Sequence, residues 1–300
     1  LPVQYVNRPN LDFRGFCGTV ASGVFHKGDA ITVLPSGKSS KIKSIVTYDG
    51  DIDEAFTAMA VTLTMEDEID ISRGDMIIGN SSITPIVADK FNASIVWMDE
   101  KSMVPGRQYV IKLATRAVSG SISSINYRID VNTLEHHDTT ELNLNEIASC
   151  TVSVNAPVVF DGYKANKGTG AFIIIDRLSN VTVGAGMITG ESDGEDLTQV
   201  SADDRAARFN QKATTVILTG ANNQDIAYQL ERKLFDTGHA VTVLENQSNN
   251  TDLLTAAIKH AGLICLSVNN DSDQADLTFD CEQLSLEKIY NSLKEQNIIY

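Results

Sequence analysis

The segment 218–234, LTGANNQDIAYQLERKL, holds the residues of this chain that come nearest to phosphate chemistry. An apolar run, TTVIL, enters Gly220; a polar turn follows, and Ile226, Leu230 and Leu234 then recur four apart, as on one helix face. Strand, glycine turn and helix are the frame in which a loop holds a nucleotide's phosphates, since the helix amides point at the anion. The binding groups themselves are missing. Gly220, Ala221, Asn222, Asn223, Gln224 and Asp225 provide one glycine and no lysine. A phosphate cradle needs successive backbone N–H groups that converge, a lysine, and a Ser or Thr hydroxyl for Mg²⁺. Asp225 is expected to put a carboxylate where a phosphate would rest, which suits the helix dipole and repels a nucleotide.

Other chemistry-bearing residues read as bland. His136, His137 and Asp138 lack a third ligand at useful spacing, and neighbours on a strand point to opposite faces, so a polar turn is expected. His26, His239 and His260 stand alone beside turns or helix ends, where solvated or capping roles are expected. Cys17 lies in a glycine-rich stretch read as a turn, with Arg14 its basic neighbour. Asp271, Asp273 and Asp276 are spaced like a calcium loop but lack its glycine and closing glutamate, which leaves a solvated acidic turn. The remaining cysteines, Cys150, Cys265 and Cys281, form no C-x-x-C pair, so reduced thiols in a cytoplasmic protein are expected.

Three hundred residues point to two or three domains. Net charge is −15, and residues 191–300 carry 8 Lys/Arg against 18 Asp/Glu. A surface this acidic repels a phosphate backbone, which argues against nucleic acid as a partner. No apolar run is long enough to cross a membrane, so no membrane partner is expected. The chain opens on Leu1 and not Met, as a piece of something longer would, whether processed, cloned or naturally short.

Three textures follow one another. Residues 1–87 contain short β-branched runs (AITVL, KIKSIV, AVTLT) separated by the turns HKGD, PSGK, YDGD and SRGD, which predict a small antiparallel barrel. Residues 88–190 repeat the style, with SISSINYRI expected to bury one face through Ile122, Ile125, Tyr127 and Ile129. Residues 191–212 are polar and read as a linker. Within 213–300, strands TTVIL, HAVTVLE and GLICLSV alternate with helices predicted at 225–237, 252–261 and 285–296, which implies βαβ units and a parallel sheet.

The blocks NRPNLDFRG, GDAITVLPSGK, ISRGDMI, IVWMDE, DVNTLE and DRLSNVTVGAGMI resemble the GTPase subunit of bacterial sulfate adenylyltransferase across residues 1–189. That family is similar to translation elongation factors, in which a GTPase domain precedes two β-barrels. The resemblance implies elongation-factor-like barrels here, and GTP with Mg²⁺ in a GTPase domain outside this chain. It also implies a separate adenylyl-transferring subunit as partner. Its whole-protein activity would be formation of adenylyl sulfate from ATP and sulfate, coupled to GTP hydrolysis. Neither G-x-x-x-x-G-K-[ST] nor N-K-x-D occurs here, so neither catalytic nor cofactor-binding nor metal-binding residues are expected in this chain.

Residues 205–300 resemble adenylyl-sulfate kinase, which is fused to the subunit in some members, through RAARFNQKATTVILTG, AYQLERKLFDTGHAVTVLE, HAGLICLSV and FDCEQLSLEKIYNSLKE. The kinase has a Gly-Lys-Ser/Thr loop and, after its second strand, Asp-Gly-Asp followed by Arg. Here ANNQDI, and then Glu245 through Asn249, stand in those places. A degenerate, non-catalytic domain is expected; the alternatives are an active kinase, a sensor of adenylyl sulfate, or barrels that bind tRNA. Arg8, Arg14, Arg73, Asp176 and Arg177 are the candidate domain or partner contacts, set against ordinary surface ion pairs.

Overall fold

Short β-branched runs that alternate inward and outward cannot bury an apolar face alone, and here they close on themselves. The computed structural model describes residues 1–300 except 11–12, 80–83, 193–198, 246–249 and 269–274. It divides into two units, Leu1–Glu195 and Asp196–Tyr300. The first nine strands are β1 Tyr5–Asn7, β2 Gly15–Thr19, β3 Val24–His26, β4 Ala30–Leu34, β5 Lys38–Thr47, β6 Gly50–Ile52, β7 Glu54–Phe56, β8 Ala60–Met65 and β9 Met76–Gly79. They run in the antiparallel order β1-β2-β8-β5-β4-β9, and a Pro2–Met76 bridge joins the two ends. β6 extends β5, and β3 pairs with β7. Ile31 and Val33 of β4 and Val61 and Leu63 of β8 point inward, as the alternation requires. Cys17 lies within β2, not in a turn, with its sulfur 3.2 Å from the Thr62 hydroxyl.

The second barrel uses longer strands: β10 Ile86–Trp97, β11 Gln108–Leu113, β12 Arg116–Ile129, β13 His136–His137, β14 Ile147–Phe160, β15 Ala171–Asp176 and β16 Thr182–Glu191, with the short helix α1 Lys167–Gly170. Its order is β11-β15-β16-β10-β14-β12, and β12 pairs again with β11, so six antiparallel strands close. Phe91, Ala93, Ile95 and Trp97 alternate into the interior along β10. The Phe91 ring meets Phe160 and Phe172 at 5.3 and 5.4 Å. Register shifts between Ile122 and Ser124 and between Ile125 and Tyr127 break the expected alternation of β12, so only Ile122 of the predicted four is fully buried. His136 and His137 are the strand β13, not a turn, and His136 stacks on Tyr127 at 3.9 Å. Within this unit the barrels touch through Asp75–Arg116, at 3.6 Å, and through Asn166 Nδ2, which donates to the Ala21 carbonyl at 3.4 Å.

In the carboxy-terminal unit, α2 Ala202–Phe209 precedes β17 Thr215–Thr219, α3 Asn223–Asp236, β18 Val241–Glu245, α4 Thr251–His260, β19 Ile264–Val268, β20 Leu277–Asp280 and α5 Leu286–Glu295. The sheet is parallel, in the order β18-β19-β17-β20. Val216, Leu218, Leu266 and Phe279 pack with Leu230 and Leu234 of α3 and Ile289 and Leu293 of α5.

Two features differ from the linker and histidine expectations. Residues 202–209 form a helix with a capping box: the Ser201 hydroxyl accepts from the Asp204 amide, and the Asp204 carboxylate accepts from the Ser201 amide. Gln211 follows, fully buried; its side-chain amide donates to Ala240 O and Gly262 O and accepts from Ala240 N, at 2.7, 3.0 and 2.8 Å. His239 is also buried, and burial together with the Lys294 charge lowers its pKa, so it is neutral inside the fold. Asp276, at the edge of this unit, accepts from the Thr215 amide and pairs with Lys259; Asp271 and Asp273 lie outside the described residues.

Packing at Gly186 tests the second barrel. A Cβ there would lie 2.1 Å from the Phe172 ring. Gly186→Ala is expected to cost about 1–3 kcal/mol through overpacking, read as a lower denaturation midpoint; an unchanged midpoint would contradict this packing.

Candidate functional site

Two regions carry the candidate residues. In the first unit, the arginines separate by environment. Arg8, Arg73 and Arg177 are exposed. Arg14 is half-buried; its guanidinium lies 3.3 Å from Asp70 and stacks over Phe16 at 5.6 Å. Asp176 does not face outward. It is 7% exposed and ends β15, where its carboxylate accepts from the Leu178 and Ser179 amides at 3.0 and 2.8 Å and from the Ser179 hydroxyl at 3.0 Å. Arg107 closes the other oxygen at 2.7 Å and lies over the Tyr109 ring at 5.6 Å. Burial works to raise this carboxyl's pKa, but the Ser179 and Leu178 bonds and the Arg107 charge hold it below 3.8. Asp176 therefore fastens the turn that presents Arg177, Leu178 and Val181, which are themselves exposed.

The outward side of β11, β15 and β16 carries an open apolar cleft of about 450 Å³, lined by Lys112, Ala114, Tyr163, Ile173, Ala185 and Met187. It arises because the inward positions of these strands, Phe172, Ile174 and Gly186, are buried, while their small or apolar neighbours Ala171, Ile173 and Ala185 face out. Nothing in the sequence reading pointed to it, since alternation alone predicts polar residues there.

The second region is the β17–α3 loop. β17 and α3 form as expected, and Gly220 turns between them at φ +96°. Asn223 is buried, and its side-chain amide donates to Leu218 O at 3.2 Å. Ala221, Asn222, Gln224 and Asp225 are exposed. Gln224 Nε2 donates to Glu245 at 2.9 Å, and the Tyr228 hydroxyl donates to the same carboxylate. Asp225 lies exposed in the first turn of α3, and the Ala221 amide donates to Glu282, at 3.1 Å. Glu282 lies 61 residues along the chain, so no local motif could have signalled it. Asn246 to Asn249, weighed as the substrate-side substitution, lie outside the described residues.

This loop does not fit a nucleotide triphosphate. It offers no lysine, and Asp225, Glu245, Asp280 and Glu282 stand around it, so anionic phosphates would meet carboxylates. Among the described residues no group of three or more His, Cys, Asp or Glu is placed to hold a metal ion, and no helix is long and apolar enough to cross a membrane.

The acid limb of stability tests the Asp176 turn. Because its folded pKa lies below 3.8, the native state binds fewer protons than the unfolded chain just below that pH. Its contribution is complete above pH 3.8 and is lost as pH falls through the folded value. Asp176→Ala is expected to cost about 2–4 kcal/mol at neutral pH and to flatten that limb in pH-dependent unfolding.

Comparison with known proteins fits this architecture. Residues 90–189 match the family described as GTP-eEF1A C-terminal domain-like. A crystal structure of sup35 complexed with GDP superposes with a TM-score of 0.58 at 16% identity, covering 64% of this chain and 47% of that one, which shows a shared fold. Bifunctional enzyme CysN/CysC of Rhodopirellula baltica is 44% identical over 89% of this chain and 47% of its own. Sulfate adenylyltransferase subunit 1 of Cellvibrio japonicus is 57% identical over 67% of this chain and 42% of its own, and that of Saccharophagus degradans is 56% identical over 62% and 40%. The chain thus spans less than half the length of the curated relatives it matches. Over that span it is a homologue of sulfate adenylyltransferase subunit 1 and of the bifunctional CysN/CysC enzyme, with elongation-factor-like barrels followed by a parallel-sheet unit.

Proposed function

We propose that this chain works through contact surfaces: its barrels dock the adenylyl-transferring subunit of a sulfate adenylyltransferase, and its carboxy-terminal unit is a non-catalytic, adenylyl-sulfate-kinase-like domain. On this reading the whole protein makes adenylyl sulfate and diphosphate from ATP and sulfate in sulfate assimilation, coupled to GTP hydrolysis. GTP and Mg²⁺ belong to a GTPase domain outside this chain. The observation that carries the reading is the β17–α3 loop, which has strand, glycine and helix but no lysine of its own, and on which the carboxylates of Glu245 and Glu282 rest. A chain that cannot hold a triphosphate there has no means of phosphoryl transfer at that site. On the barrels, exposed Arg8, Arg73 and Arg177 and the apolar cleft beside Lys112 are the residue types that interfaces favour. The acidic balance of the chain argues against a tRNA partner.

The alternative, an active or adenylyl-sulfate-sensing kinase module, is separated by calorimetry. Titration of ATP, GTP and adenylyl sulfate into residues 1–300 is expected to give no micromolar binding. Binding with turnover would establish the kinase, and binding without turnover the sensor. For the docking surface, the double change Arg8→Glu with Arg73→Glu is expected to weaken capture of the adenylyl-transferring subunit about tenfold or more. Equal capture by both proteins would remove these arginines from the interface.

A further inference from the structure

The carboxylate on Ala221 comes from the far side of the sheet in sequence, and the geometry that brings it there is specific. β20 lies parallel to β17, with Thr219 level with Asp280, and the Cys281 amide continues the ladder by donating to Thr219 O at 2.9 Å. The chain then turns sharply: the Glu282 amide donates to Asp280 Oδ1 at 2.9 Å, and the Gln283 and Leu284 amides return to Asp280 O. This turn swings Glu282 back across Gly220. A Cβ on Gly220 would stand 2.9 Å from Glu282 Cγ and 3.1 Å from Asp280 Oδ1, so the side chain lies directly on the loop backbone. Its Oε1 then takes the Ala221 N–H.

The Ala221 amide lies one residue ahead of Asn222, the N-cap of α3, where no helical turn offers it an acceptor. The helix's own capping position does not help, because the Asn222 side chain makes no cap hydrogen bond. The positive end of the helix dipole and an unsatisfied N–H favour an anion at this point, whether a bound phosphate or a carboxylate. We infer that Glu282 is a resident anion: a carboxylate from the β20–α5 turn that closes the β17–α3 loop from within and excludes external anions. The inference deepens the reading of this unit as non-catalytic and rests on it, since an open, ligand-binding loop would leave no place for this contact. It also makes Glu282 a tie between the β20–α5 turn and the β17–α3 loop.

Amide exchange and an inorganic probe test this in the 300-residue chain, labelled with ¹⁵N, as wild type, Glu282→Gln and Glu282→Ala. A hydrogen bond to a charged acceptor is worth enough that Glu282→Ala is expected to speed exchange at Ala221 about tenfold or more. Glu282→Gln keeps the shape and a carbonyl acceptor and should fall between the two. Amides of Ala227 and Leu230, in the buried face of α3, should keep their protection in both variants, which distinguishes loss of the contact from loss of the fold. Pyrophosphate should leave the Ala221–Gln224 amide shifts of the wild type unchanged. Unaltered Ala221 exchange in Glu282→Ala would overturn the inference, as would pyrophosphate-induced shifts of the Ala221–Gln224 amides in the wild type. Either result is independent of whether kinase turnover is found, so the two readings can fail separately.

Discussion

Closure of the second barrel is the constraint on which the amino-terminal unit depends. Strand β11 pairs with β12 on one side and with β15 on the other, so the six strands form a closed ring, and among the described residues of this sheet only the two-residue β13, paired to the end of β12, forms an edge. Six strands leave a narrow interior. Phe91, Phe160 and Phe172 fill it, and β16 can pass beneath Phe172 only because Gly186 has no side chain. With the inside fully committed to packing, everything the barrel can offer a partner lies outside. The 450 Å³ cleft and the turn fastened by Asp176 are therefore consequences of closure as much as of local sequence.

Much of this was legible beforehand, for a physical reason. HKGD, YDGD and SRGD mark places where the chain must reverse, and the β-branched runs between them can do little except pair. Gly28, Gly50 and Gly74 do take positive φ. What the sequence concealed was any feature set by distant partners. Cys17 looked like part of a turn because of its flanking glycines, yet Gly15 and Gly18 sit in β2, where the neighbouring strand and Leu1 crowd them. Residues 202–209 looked like a linker because they carry a single large apolar residue, Phe209. The Ser201–Asp204 box was the available signal, and the decisive partner, Gln211 on Ala240 and Gly262, is polar. Asp176 looked like a surface contact because its fixing groups, Arg107 above all, come from another strand.

The carboxy-terminal sheet is asymmetric. One face presents Val216, Leu218, Leu266 and Val268 to α3 and α5. The register places Thr215 beside Cys265 and Ile217 beside Ser267 on the opposite face, and α4 contributes buried Thr251 and Thr255 while leaving Leu253 and Leu254 exposed. Among the described residues the hydroxyls of Thr215 and Ser267 are buried without a hydrogen-bond partner, a cost that apolar residues would avoid. The stability of this unit thus rests mainly on the side that carries α3, the helix behind the β17–α3 loop. Holding α3 in place is necessary for the fold whether or not its amino-terminal end binds anything.

That separation makes the frame of the domain independent of what its loop binds. The CysN/CysC match covers 89% of this chain and so must extend well beyond Leu1–Glu195. Truncating a buried residue such as Leu230 or Leu234 would cost about 2–5 kcal/mol, comparable to much of a domain's total stability. Changes at exposed Asn222, Gln224 or Asp225 fall in the class that typically moves stability by about 0.5 kcal/mol or less. The lysine and glycines of a phosphate loop serve a ligand and not the core, so a loop without them can carry the same packing. The Ala221 amide ahead of α3 needs an acceptor whatever the loop binds. Glu282, on the β20–α5 turn, accepts from that amide and lies across Gly220.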